Sequence, residues 1–89
     1  MLFAVICNDK PDHLEVRLAN RPAHVDYLKE TGAVLAGPFL DPAGEMCGSL
    51  VVIEAEDRSA AENWAANEPY AKAGLFESVA IRPWKRVIG

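Results

Sequence analysis

Leu2-Phe3-Ala4-Val5-Ile6-Cys7 is apolar without interruption and is closed by Asn8-Asp9-Lys10-Pro11. A short run of this kind, bounded by turn residues, reads as a buried strand. A strand with one wetted face alternates apolar and polar residues, and this one does not, so both of its faces need cover. The remaining chain must therefore supply a helix layer on one side and something else on the other.

Beyond Pro11, the sequence predicts a helix capped by Asp12, carrying Leu14, Leu18, Val25 and Leu28 along one stripe and stopped by Gly32. Pro22 kinks or divides it. Ala33 to Leu40 returns to strand character, and Gly37-Pro38 confines that strand to a sheet edge, because proline donates no ladder hydrogen bond. Asp41-Pro42-Ala43-Gly44 is turn chemistry leading by a hairpin into the apolar strand Gly48 to Ala55. Ser59-Ala60-Ala61-Glu62 matches a capping box, opening a helix with Ala61, Trp64 and Ala65 inward. Pro69 ends regular helix at Glu68 and leaves a short extra turn to Ala73 before Gly74. The last strand runs from Leu75 to Arg82, with Val79 and Ile81 toward the core.

The order is βαββαβ. Two right-handed β-α-β crossovers around a hairpin give an α+β, ferredoxin-like antiparallel sheet, with two helices on one face and the first and third strands central. Both central strands are apolar on successive residues, yet no helix is left for the second face. A second copy packed sheet to sheet supplies that cover, so a homodimer is expected.

Eighty-nine residues allow one domain, residues 1–89. A formal charge of −4 excludes a nucleic-acid partner, which demands a basic stripe. The short basic segment Arg82-Pro83-Trp84-Lys85-Arg86 reads as a solvated strand end. Cys7 and Cys47 show neither CxxC nor zinc-ligand spacing and read as reduced thiols. Leu2 to Cys7 has no basic leader and reaches polar residues too soon for a signal peptide, and no run approaches membrane-spanning length. A cytoplasmic protein without a membrane partner is the expectation.

Chemistry concentrates around His24. In Arg21-Pro22-Ala23-His24, a helix opened by Pro22 would place His24 at its third position, where free N–H groups and the dipole favour the neutral imidazole. Counting by three and four carries the first helix's stripe through Arg21 beside His24, and the second helix's stripe on to Glu68. Arginine and glutamate are seldom buried unpartnered, so Arg21, His24 and Glu68 are expected to share a cleft. As a structural cluster, Arg21 neutralises Glu68 while His24 bonds to a carbonyl. As a reactive one, His24 moves the proton, Glu68 orients it and Arg21 anchors an anionic oxygen.

Asp9 and Asp41 read as turn or cap residues, and His13, beside Asp12 and Glu15, reads as solvated. Ser49 lacks a nucleophile-elbow context, and Gly48 beside it suggests close backbone approach. Tyr70, next to Glu68, reads as cleft wall able to touch a ligand. No histidine stands at i+4 from His24, and no carboxylate cluster marks a metal site.

Arg21-Pro22-Ala23-His24, Ala36-Gly37-Pro38, Gly48-Ser49 and Glu68-Pro69-Tyr70-Ala71-Lys72-Ala73-Gly74-Leu75-Phe76, in this order, resemble the YciI-like or YCII-related family of small bacterial proteins. The resemblance implies a dimeric α+β barrel related to muconolactone isomerase. It also implies an active site pairing a histidine with an aspartate before Pro-Tyr or Pro-Phe. The histidine corresponds to His24, and Glu68 stands in the aspartate's place, one methylene longer. Some relatives carry out proton-transfer or elimination reactions on ring-hydroxylated aromatics. The expected function is thus a cofactor-independent isomerase or lyase using His24 and Glu68, with Arg21, Ser49 and Tyr70 as substrate contacts. The alternative is a non-catalytic dimeric module that binds a small metabolite or another protein in the same cleft.

Overall fold

A computed structural model describes all of residues 1–89. Seven elements follow in order: β1 (Leu2–Asp9), α1 (Leu14–Glu30), β2 (Leu35–Leu40), β3 (Met46–Glu54), α2 (Arg58–Ala66), α3 (Pro69–Lys72) and β4 (Phe76–Trp84). The strands form one antiparallel sheet in the order β2-β3-β1-β4, so the two continuous apolar runs are its centre and the Gly37-Pro38 strand is an edge. The helices cover one face, giving the ferredoxin-like fold expected from the element order.

Register fixes which residues meet the helices. Val5 stands opposite Val51 on one side and Ile81 on the other, and Phe3 and Cys7 share its face two residues away. With Ile53, Ala61 and Ala65 these residues form the buried core, flanked by Leu28, Trp64 and Phe76. The intervening residues Ala4, Ile6, Leu50 and Val52 point the other way, joined by Leu35 and Phe39 of β2. No helix covers this second apolar face.

Both longer connections back to the sheet are set by glycine. Gly32 (φ 70°) follows α1, with Ala33 N–H donating to Leu28 O at 3.0 Å and Gly32 N–H to Lys29 O at 3.3 Å. Gly74 (φ 73°) closes α3 in the same way, with Leu75 N–H on Tyr70 O and Gly74 N–H on Ala71 O, both at 3.1 Å. A left-handed residue with this pair of bonds satisfies the last helical carbonyls and reverses the chain.

The helix starts differ from expectation. His13, not Asp12, precedes the first helical residue; Asp12 takes φ 59°, and no side chain caps α1. His13 bonds through Nδ1 to Pro11 O at 2.8 Å instead. In α2 the cap is Asp57, whose carboxylate accepts Ala60 N–H at 2.8 Å, while Ser59 lies inside the helix. Asp57 stands one turn ahead of Ala60 as a cap must, and its charge favours the helix's positive end over a hydroxyl. Asp41 behaves as expected, its Oδ1 accepting Ala43 and Glu45 N–H across the hairpin turn.

In α1 the buried stripe is rotated by one position from the apolar one. Leu18 is 52% exposed, whereas Arg17 and His24 are the buried residues of this helix. Pro22 neither opens nor divides it; α1 is one helix of 17 residues. No helix of the chain is long and apolar enough to cross a membrane.

Candidate active site

His24 is the eleventh residue of α1, far from the N-terminal dipole, so its state is not set by free N–H groups as the Pro22 reading required. Its neighbours come from elsewhere. Pro69 holds Glu68 extended (φ −67°, ψ 135°) at the joint between α2 and α3. From there the carboxylate reaches across to α1, and Glu68 Oε1 takes the hydrogen bond of His24 Nδ1. Both side chains are buried, at 9% and 4% exposure. Sequence reasoning thus named the partner correctly but for the wrong helix position.

Tyr70, two residues beyond Glu68, lays its ring on the imidazole, with centroids 3.9 Å apart and planes inclined by 16°. Phe76 of β4 meets the tyrosine edge-on at 6.0 Å. The ring therefore fixes the imidazole plane while Glu68 fixes its rotation. Burial pushes the Tyr70 hydroxyl above its ordinary pKa, with the Glu68 charge adding to it and Arg17 opposing. Tyr27 is raised for the same first two reasons, and its hydroxyl donates to Trp64 O at 2.9 Å, tying α1 to α2.

The arginine inside the site is Arg17, which the sequence reading did not single out. Its Nε and Nη2 donate to Asp9 Oδ2 and Oδ1 at 2.7 and 2.9 Å, and Nη2 also donates to Ser49 Oγ at 2.9 Å. Its guanidinium lies 4.6 Å from the Tyr70 ring centroid. Burial alone would lower the Arg17 pKa, but the bonds and charge of Asp9 outweigh it and raise it. Asp9 is thus the partner of a buried cation and not merely a strand-end residue. Counting back seven residues from His24 reaches Arg17, two turns up the same face, and this was the available signal.

Arg21 lies between them on the helix but is exposed and makes no ion pair with Glu68. It stands at the mouth of an outer cleft of about 130 Å³ between α1 and the β2–β3 edge, where Arg17, His24, Pro38, Ser49 and Tyr70 also meet. His24 and Ser49 form a partition, because both also border an inner chamber of about 10 Å³. That chamber reaches Glu68, Cys7, Trp64, Phe76 and Val79. Four of the five expected site residues are therefore buried together and the fifth, Arg21, guards the rim. Nδ1 is committed to Glu68, while Nε2 has no protein partner and is not sealed in.

Gly48 lets this wall close. A Cβ there would lie 2.4 Å from Cys7 O, so only glycine allows β3 to approach β1 beside Ser49.

The model of the YCII-related domain matches residues 1–85. The chain belongs to the YCII-related family. Protein YciI of Escherichia coli O6:H1 is 41% identical to this YCII-related chain, over 98% of it and 99% of the relative. An uncharacterized protein of Haemophilus influenzae is 35% identical over the same shares. Among solved structures, the 5-chloro-2-hydroxyhydroquinone dehydrochlorinase TftG of Burkholderia phenoliruptrix, complexed with 2,5-dihydroxybenzoquinone, superposes with a TM-score of 0.88. It is 33% identical, over 98% of this chain and 96% of that one. An antibiotic biosynthesis monooxygenase shares the fold at TM-score 0.60 and 16% identity, over 99% of this chain and all of that one.

Proposed function

We propose that this chain is a cofactor-independent enzyme of lyase or isomerase type, with His24 and Glu68 as its acid–base pair. The observation that carries this is the buried His24–Glu68 bond, which commits Nδ1 and leaves Nε2 without a protein partner on a ring that borders the outer cleft. With Nδ1–H held by a carboxylate, the lone pair resides on Nε2, and the imidazolium formed by accepting a proton is stabilised by the Glu68 charge. Arg21 at the mouth attracts an anionic oxygen of the substrate, and Tyr70 and Ser49 wall its position. The same proton returned to another atom is an isomerisation; loss of a leaving group instead is an elimination.

Similarity to a dehydrochlorinase supports the elimination and a ring-hydroxylated aromatic as substrate. We further infer that the whole chain works as one domain, paired through its uncovered sheet face with a second copy. Two free thiols fit a cytoplasmic setting.

The test is incubation with a panel of hydroxylated and chlorinated hydroquinones in D₂O, following halide release and deuterium uptake. Wild type should turn over at least one member, and His24→Ala should slow it about 10²-fold or more. Glu68→Asp, which shortens the reach to Nδ1, should cost roughly 10–100-fold. Turnover that survives both His24→Ala and Glu68→Gln would remove the assignment. Ligands that raise the melting temperature without being converted would instead favour a binding module.

A further inference from the structure

Glu68 Oε2 is buried and has no hydrogen-bond partner, although its sister oxygen holds His24. An ionised carboxylate keeps both oxygens hydrogen-bonded when it leaves water, because desolvating an unpaired oxygen is costly. Glu68 borders the inner chamber and not the outer cleft. Ser49, which borders both, has a second unmet group. Its Oγ accepts from Arg17 Nη2, and the hydroxyl proton has no acceptor in the protein. The chamber's volume of about 10 Å³ suits one water and no larger group.

We infer that the inner chamber is a one-water site in which the water donates to Glu68 Oε2 and accepts from the Ser49 hydroxyl, making Ser49 a positioning residue for His24. Donor and acceptor capacities balance: the carboxylate takes a proton donor, and the serine, already accepting from Arg17, supplies one. A chloride in the same place would face the Glu68 charge without a cation. Cys7 also lines the chamber, as does His24; burial pushes the cysteine thiol up to about 12, so it stays protonated and adds at most a weak S–H donor. A hydrogen-bonded path then runs from Asp9 through Arg17, Ser49 and the water to Glu68 and His24. Substrate enters the outer cleft, so the water stays in place through turnover. Its role is to hold the Glu68 carboxylate in the plane that fixes Nδ1–H.

The inference refines the acid–base reading, but it can be tested without a substrate. Crystal structures of wild type and Ser49→Ala at a resolution that orders internal water read the site directly, and ¹⁵N shifts of His24 read its tautomer. Wild type should show one water within hydrogen-bond distance of both oxygens and an imidazole protonated at Nδ1. Ser49→Ala should lose the water and broaden or shift the His24 signals toward mixed tautomers, while Ser49→Thr should restore both. Arg17→Lys breaks the Arg17–Ser49 bond but leaves the hydroxyl in place, and it should keep the water. A dry chamber in wild type would overturn the proposal. So would Ser49→Ala with an unchanged His24 tautomer, or Arg17→Lys that reproduces the Ser49→Ala spectrum with the water retained. Loss of turnover with all these signatures intact would count against the acid–base reading alone.

Discussion

The imidazole of His24 and the ring of Tyr70 are stacked, 3.9 Å between centroids, so that α3 presses directly on the buried face of α1. Phe76 and Arg17 meet the same ring, making it the point where two helices and β4 join. Truncating a fully buried aromatic costs its transfer free energy and leaves a cavity. Tyr70→Ala should destabilise the fold by about 3–5 kcal/mol in urea titration. Tyr70→Phe keeps the ring and should stay within about 1 kcal/mol.

Arg17 and Asp9 are a buried bidentate pair, and breaking it strands one charge. Arg17→Met or Asp9→Leu alone should each cost about 3–5 kcal/mol. Replacing both, as Asp9→Leu with Arg17→Met, should recover much of that, because no unpaired charge remains. Equilibrium unfolding of the three variants gives the coupling directly. Additive losses would show that the pair contributes no interaction of its own.

Cys7 gives a pH dependence with a defined sign. Burial first, then the charge of Glu68, push its thiol from 9.0 up to about 12, with Arg17 opposing and Asp9 adding. Between these values the unfolded chain loses the proton and the folded chain keeps it, so stability falls as pH rises from 9 and is unaffected below. The full effect is about 4 kcal/mol at most, reached near pH 12. Tyr27 and Tyr70, also raised, join with the same sign only above pH 10. Urea midpoints measured at pH 9 and 10 should therefore fall in wild type and stay level in Cys7→Ala.

The uncovered apolar face predicts self-association through the sheet. Leu50 and Val52 point to that face, whereas Val51 points to the helices, which the register alone distinguishes. Leu35→Lys or Leu50→Glu, at positions on that face that are not buried within the single chain, should convert a dimer into a monomer in light scattering, with far-UV circular dichroism unchanged. Val51→Lys should instead unfold the chain. A wild type that is monomeric at micromolar concentration would contradict the sheet-to-sheet assembly.

The sequence alone determined the βαββαβ order, the edge position of β2 and the inward Glu68. Each rests on local chemistry: proline restricts its own strand and the residue before it, glycine reverses the chain after a helix, and apolar runs mark central strands. Three features needed the tertiary structure. Whether Pro22 starts a helix or lies within one depends on packing that outweighs a lost hydrogen bond. The phase of α1 was misread because an apolar count favours Leu18, while Arg17 is the residue for which the fold supplies partners, Asp9 from β1 and Ser49 from β3. The cap of α2 fell to Asp57 because the chain's path, not the motif, decides which oxygen reaches the free N–H. A periodic pattern shows which residues can share a face. Only the assembled sheet decides which charges find the partners that let them be buried.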